Sequence, residues 1–234
     1  MMTPPPEPLF DRYADRYRDL HRESIEASGE EPDYFAAYKA EYMAASLRRP
    51  KLQESTSILD FGCGIGNCIP HLERAFPGAE IHGVDVSGAS IEVASALNPN
   101  AVFARIDGAA LPLPDDSIDI ALAACVYHHI APKQRLHWSE EIRRVLKPGG
   151  HFFLFEHNPL NPLTRRVVNS CPFDDDAILL PGRESLALLQ RSGFSNGSVN
   201  YVVFFPKPLS ALRPLEKFLV KLPLGAQYVA HGRA

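Results

Sequence analysis

The chain has 234 residues, 45% of them apolar, and a formal net charge of −4. That length fits one domain with modest additions, and the apolar content is ample for a core. The slightly acidic balance gives no electrostatic footprint for nucleic acid, and no apolar run approaches the ~20 residues of a membrane span.

The start, Met1-Met2-Thr3-Pro4-Pro5-Pro6-Glu7, has neither the basic nor the apolar region of an export leader, so a cytoplasmic chain is expected. After this proline-rich start, which reads as disordered, residues 9–48 read as two helices. Leu9, Tyr13, Tyr17 and Leu20 fall at helical spacing, as do Phe35, Tyr38 and Tyr42, with a break at Gly29-Glu30-Glu31-Pro32. Residues 56–157 then alternate apolar runs with helical stretches. Strands are predicted near 57–61, 80–85, 101–106, 119–124 and 151–156, and the clearest helix spans 133–146. Residues 158–182 read as a long connection, a length that points to function or disorder. A helix over 183–192, a strand over 198–205 and a last strand near 226–231 complete the chain. The pattern predicts an α/β fold, a doubly wound and mostly parallel sheet.

Within this frame, Ile58-Leu59-Asp60-Phe61-Gly62-Cys63-Gly64-Ile65-Gly66-Asn67 reads as a strand running into a glycine turn. About twenty residues later Ile81-His82-Gly83-Val84-Asp85 ends a second apolar run in an acid placed to take a ribose edge. Glycines turn sharply and let a nucleoside lie against the main chain. A dinucleotide fingerprint needs a third glycine where Asn67 stands, which disfavours a nicotinamide-dependent oxidoreductase.

The pattern Asp60-x-Gly62-x-Gly64-x-Gly66 resembles the first motif of class I S-adenosylmethionine (SAM) methyltransferases of the small-molecule type. The resemblance continues through Phe103-Ala104-Arg105-Ile106-Asp107-Gly108, through Leu111-Pro112-Leu113-Pro114-Asp115-Asp116-Ser117-Ile118-Asp119, and through Glu141 to Gly150. It implies a Rossmann-like sheet of seven strands with the last reversed, SAM as cofactor and a small-molecule acceptor. It also implies a helical lid over 1–48 on a core over 49–234, with loop 158–182 over the acceptor pocket. In that family's arrangement Asp60, Gly62, Cys63, Gly64 and Gly66 shape the methionine and ribose site. Asp85 holds the ribose with Val86 beside the adenine, Asp107 and Gly108 flank the adenine, and Cys125 borders the cofactor. Tyr residues of the lid are expected to reach the site or to pack it onto the sheet.

Methyl transfer needs a base only where the acceptor holds a proton tightly. Histidine is the natural candidate, and His128 and His157 stand at the ends of strands four and five. His129 is expected to tie its loop to the glycine turn, and Glu156 to be a buried hydrogen-bonding group. No metal is expected: Cys63, Cys68, Cys125 and Cys171 lack ligand spacing, and Asp174-Asp175-Asp176 reads as a solvated acidic turn. The Pro-Pro-Tyr/Phe loop of amino-methylating DNA enzymes is missing after strand four, and Glu140-Glu141 read as solvated. These absences point to a small or lipid-like acceptor, with methylation at oxygen favoured. Leu209, Leu212, Leu215, Leu219 and Leu222 form an apolar stripe with Arg213, Lys217 and Lys221 on another face. This reads as a helix packed on the sheet or a partner, with membrane-surface contact as the lesser reading. A non-catalytic SAM-binding or partner-regulating protein on the same fold is the alternative function.

Overall fold

A computed structural model of the chain describes residues 11, 16–47, 56–172 and 174–234. Seven strands form one sheet in the order β3-β2-β1-β4-β5-β7-β6. They are β1 (Ser57–Phe61), β2 (Glu80–Asp85), β3 (Val102–Arg105), β4 (Ile118–Ala124), β5 (Leu146–His157), β6 (Ser195–Val202) and β7 (Gln227–Arg233). Strands β1 to β5 pair in parallel, and β7 runs antiparallel between β5 and β6. The helices are α1 (Tyr17–Ile25), α2 (Pro32–Leu47), α3 (Ile69–Ala75), α4 (Gly88–Leu97), α5 (Pro132–Val145), α6 (Pro162–Ser170), α7 (Gly182–Arg191) and the short α8 (Glu216–Leu219).

Alternation along the strands builds two cores. Leu59, Ala121, Phe152 and Leu154 face Ile142 and Val145 of α5 and Leu188 and Leu189 of α7. Their neighbours Ile58, Ile120, Phe153 and Phe155 face Ala40 and Met43 of α2 and Ile69 and Leu72 of α3. Both sheet faces are therefore covered, which is why the central strands read as continuous apolar runs.

Two sequence expectations need correction. The connection 158–182 contains α6, because Asn161 caps it by accepting from the amides of Leu163 and Thr164, and Pro162 sits at its first position. The leucine-rich tail is mostly a kinked 3₁₀ stretch, Lys207–Leu215, followed by α8. Its stripe is exposed rather than packed on the sheet: Leu209, Leu212, Leu215 and Leu222 are each at least 40% exposed. Arg213 instead pairs with Glu30 and lies over the Tyr34 ring, 4.5 Å from its centre. No helix among the described residues is long and apolar enough to cross a membrane. The proline-rich start, Leu9 and Tyr13, and the side chain of Tyr17, lie outside the described residues.

His231 of β7 lies against the sheet, its Nε2 2.9 Å from His151 Nδ1. Burial first, then His151 and Arg233, lower its pKa to about 4. Between the unfolded value and that figure the unfolded chain binds a proton the fold refuses, so stability held at neutral pH is lost as pH falls through this window. His231→Gln is expected to remove about 1–2 kcal/mol of the wild-type loss between about pH 7 and pH 5, read by urea unfolding at both. An unchanged pH slope in the variant would exclude His231 as a source of the acid sensitivity.

Candidate active site

Strand order reverses between β1 and β4, so the helices leaving these strands cover opposite faces and a crevice opens beyond their carboxyl ends. A cavity of about 440 Å³ lies there. Its floor comes from the turns after β1, β2, β4 and β5, and its roof from α1, α2 and α6.

The turn after β1 is built by glycines with different tasks. Gly62 has φ +72°, and a Cβ there would stand 2.6 Å from both methyls of Val126. It lets the β1 and β4 loops close on each other. Gly64 has φ +52°, and a Cβ there would meet nothing within 4 Å. Its bare backbone faces open space, as a ligand lying along the chain requires. Asp85 braces the turn: its carboxylate accepts from the Gly64 amide at 2.8 Å and from the Ser87 amide at 2.9 Å. Ser87 in turn caps α4 through the Ser90 amide.

Asp60 is the sharpest signal. It is 1% exposed, and neither carboxylate oxygen has a hydrogen-bond partner. Burial, with Asp85 adding to it and Lys39 opposing it, pushes its pKa up to about 7. A buried acid without a donor is costly unless a ligand supplies one. Lys39 of α2 is also buried, lines the same cavity and makes no ion pair with any described carboxylate. A cation and an unpartnered acid in one cavity suit a zwitterionic amino-acid end. Sequence reasoning passed over Lys39, since one lysine in a helix ordinarily reaches solvent.

Beyond β4, Cys125 takes φ +59° and its amide donates to the Phe155 carbonyl at 2.8 Å, which aims the following residues at β5. His128 is 2% exposed; its Nδ1 lies 2.6 Å from Oε2 of the fully buried Glu156, whose Oε1 accepts from the Tyr127 amide at 2.7 Å. Burial lowers the His128 pKa, but Glu156 and Asp174 outweigh it and raise the group well above the ordinary histidine value. His157, its ring centre 5.2 Å from that of His128, goes the other way: burial and the neighbouring His128 lower it to about 4. The surroundings of the two neighbouring imidazoles thus push them in opposite directions.

Asp174 does not stand in solvent as the acidic triplet suggested. It is buried, 3.5 Å from His128 Nε2 and 3.3 Å from His129 Nε2. Burial alone would raise its pKa, but hydrogen bonds from His128 and His129 hold it below the usual carboxylate range. His129 also meets Asp176 at 3.1 Å, so it ties its loop to residues 174–176. Glu141 likewise is engaged: it binds Arg144 at 2.8 Å and accepts from the Leu111 amide.

Asp60, Gly62, Cys63, Gly64, Asp85, Val86, Cys125, His128 and His157 all line the one cavity. Gly66 supports the turn from behind, with Asn98 where a Cβ would point. Asp107 and Gly108 are exposed and outside the lining, where Ile106 stands instead. From the first two helices His21, Phe35 and Lys39 reach the cavity, and none of the described tyrosine side chains does. Tyr34 lies under Arg213, and Tyr38 stacks on Tyr42.

Residues 58–150 match the family model described as a methyltransferase domain. The chain is 30% identical over 171 residues to an uncharacterized methyltransferase, YcgJ, of Bacillus subtilis, covering 70% of this chain and 60% of that one. It is 30% identical over 161 residues to the ubiquinone/menaquinone biosynthesis C-methyltransferase UbiE of Syntrophotalea carbinolica, covering 67% and 63%. The chain thus spans about 60% of the length of these curated relatives. In fold it resembles a solved SAM-dependent methyltransferase of Thermotoga maritima, described as a possible histamine N-methyltransferase. That likeness has a TM-score of 0.66 at 21% identity, over 96% of this chain and 98% of that one.

Proposed function

We propose that the chain is a class I SAM-dependent methyltransferase that transfers a methyl group from SAM to a small or lipid-like acceptor, a reading supported by its match to the methyltransferase-domain model and by its two methyltransferase relatives. The observation that carries the reading is the pairing of an unpartnered buried acid, Asp60, with a bare glycine backbone and a second carboxylate, Asp85, around one cavity. Asp60 matches the amine of the methionine end and Lys39 its carboxylate. Asp85 retains lone pairs for ribose hydroxyls beyond the two amides it accepts. Val86, Ile106 and Trp138 supply apolar wall for an adenine.

Bound SAM supplies a methyl carbon already activated by a positive sulfur, so the protein's task is largely positioning. Ile25, Phe35 and Val167 give the acceptor end an apolar roof, which supports a small or lipid-like molecule. The UbiE relative's name refers to quinone biosynthesis, a class consistent with such a pocket. Among the polar groups that line the cavity, His128 and His157 are the ones we assign to managing an acceptor proton, in keeping with a hydroxyl-bearing acceptor and methylation at oxygen. Helices α1 and α2 serve as the lid, and residues 158–182 as the acceptor-side wall, of a core that begins after them.

Titration calorimetry with SAM is expected to give saturable binding, and labelled SAM with cell extract a methylated small-molecule product. Lys39→Met is expected to weaken SAM about tenfold, the value of one charge-assisted contact. A folded wild type that binds neither SAM nor S-adenosylhomocysteine would overturn the reading. Unchanged affinity in Lys39→Met would remove the lysine from it.

A further inference from the structure

Beyond the ends of β4 and β5, three side chains from separate stretches of chain converge. His128, His157 and Asp174 each offer one ligand atom, and these atoms all lie within 4.8 Å of one another. His128 Nε2 is 3.5 Å from Asp174 Oδ1. Donor atoms held at about 2.1 Å around one tetrahedral ion stand roughly 3.4 Å apart. One edge of a coordination polyhedron is therefore close to its bound length, and the donor atom of His157 lies within 4.8 Å of the other two.

The second nitrogen of His128 is committed elsewhere. Its Nδ1 meets Glu156 Oε2 at 2.6 Å, and the other oxygen of Glu156 is fixed by the Tyr127 amide. Such a carboxylate behind an imidazole sets which ring nitrogen faces a metal and holds the ring in place. An ordinary charged pair would need only His128 and one acid. Here a second acid approaches the opposite nitrogen, and a second imidazole stands beside it, inside a cavity.

We infer that His128, His157 and Asp174 form a binding site for one divalent transition-metal ion, open on the cavity side to an oxygen of the methyl acceptor. Two imidazoles and one carboxylate suit zinc, manganese, iron or cobalt over calcium and magnesium, which take oxygen ligands. Three protein ligands with a free position are the pattern of a catalytic ion. An ion there would acidify a bound hydroxyl, so the two histidines would act as ligands in place of a free base. The role in methylation rests on the function proposed above; the metal site itself rests on the geometry alone. The three residues are 29 and 17 positions apart and fit no spacing rule, which is why the sequence alone led to an expectation of no metal.

Cobalt(II) titrated into the metal-free full chain tests this through the visible absorption of the coordinated ion. One equivalent is expected to bind with bands distinct from the aqueous ion. Asp174→Asn and His157→Gln are each expected to abolish stoichiometric binding, and Glu156→Gln to weaken it about 10–100-fold. His157→Gln leaves the His128–Glu156–Asp174 contacts in place, so it decides the matter if Asp174→Asn fails to fold. No coordinated spectrum in the wild type, or wild-type affinity in a folded His157→Gln, overturns the inference. SAM titrated into the same metal-free protein is read separately: SAM binding without cobalt binding sinks the metal site and leaves the methyltransferase reading standing.

Discussion

Asp85→Ala is expected to weaken SAM binding by about 100-fold or more. Asp85 ends β2 with its carboxylate turned back to the Gly64 and Ser87 amides. Removing it would take away the partner proposed for the ribose hydroxyls, and hydrogen bonds to charged groups contribute about 1.5–3 kcal/mol each. It would also release the glycine turn, which carries the bare backbone at Gly64. Asp85→Asn separates the two effects: it keeps an acceptor for one amide and the shape of the side chain while removing the charge. Its loss is expected to be smaller than that of the alanine variant. Calorimetry with SAM, beside a circular dichroism check of the fold, reads both. Wild-type affinity in a folded Asp85→Ala would strip the residue of its proposed role.

Glu156→Ala is expected to cost about 3–5 kcal/mol of stability, the range for breaking a buried charge pair by removing one partner. The side chain is fully buried and accepts from both the Tyr127 amide and His128. Burial alone would raise its pKa, but His128 outweighs that and holds it below the ordinary value. Its loss would leave the imidazole only its 3.5 Å contact with Asp174 and would strand the Tyr127 amide in the interior. For a chain of this size the melting temperature should fall by roughly 10 °C. Replacing both partners, Glu156→Leu with His128→Leu, is expected to cost less than the sum of the single changes, because neither leaves an unpaired charge. A drop below about 1 kcal/mol in Glu156→Ala would mean the pair adds nothing net.

Most of the sheet was legible. The runs ending in Asp60 and Asp85 gave β1 and β2 at their observed bounds, because a strand covered on both faces needs no alternation to be seen. The hidden elements were those where one residue type has two local meanings. Residues 158–182 read as one long connection, yet Pro162 begins α6 behind an Asn161 cap. Leu209 to Leu222 kept helical spacing, but Pro214 and the kink at Leu209 leave only 3₁₀ turns and a short helix. The part of the cavity beyond β1 and β2 was also largely legible, since its residues follow strands in fixed order. The part beyond β4 and β5 was not. Asp174 looked like one of three solvated acids, and only the fold reveals that His128 and His129, some 45 residues earlier, remove it from water.

Helices α1 and α6 touch each other above the cavity, and neither takes part in the sheet. The roof is thus built from helices outside the sheet, over a floor made by the turns that follow its strands. Substitutions at Ile25, Phe35 or Val167 alter the shape presented to an incoming molecule without disturbing strand register or the turns around Asp60 and Asp85. Under the proposed methyl transfer, substitutions at these roof positions would change which acceptor fits while leaving the turns around Asp60 and Asp85 as they are.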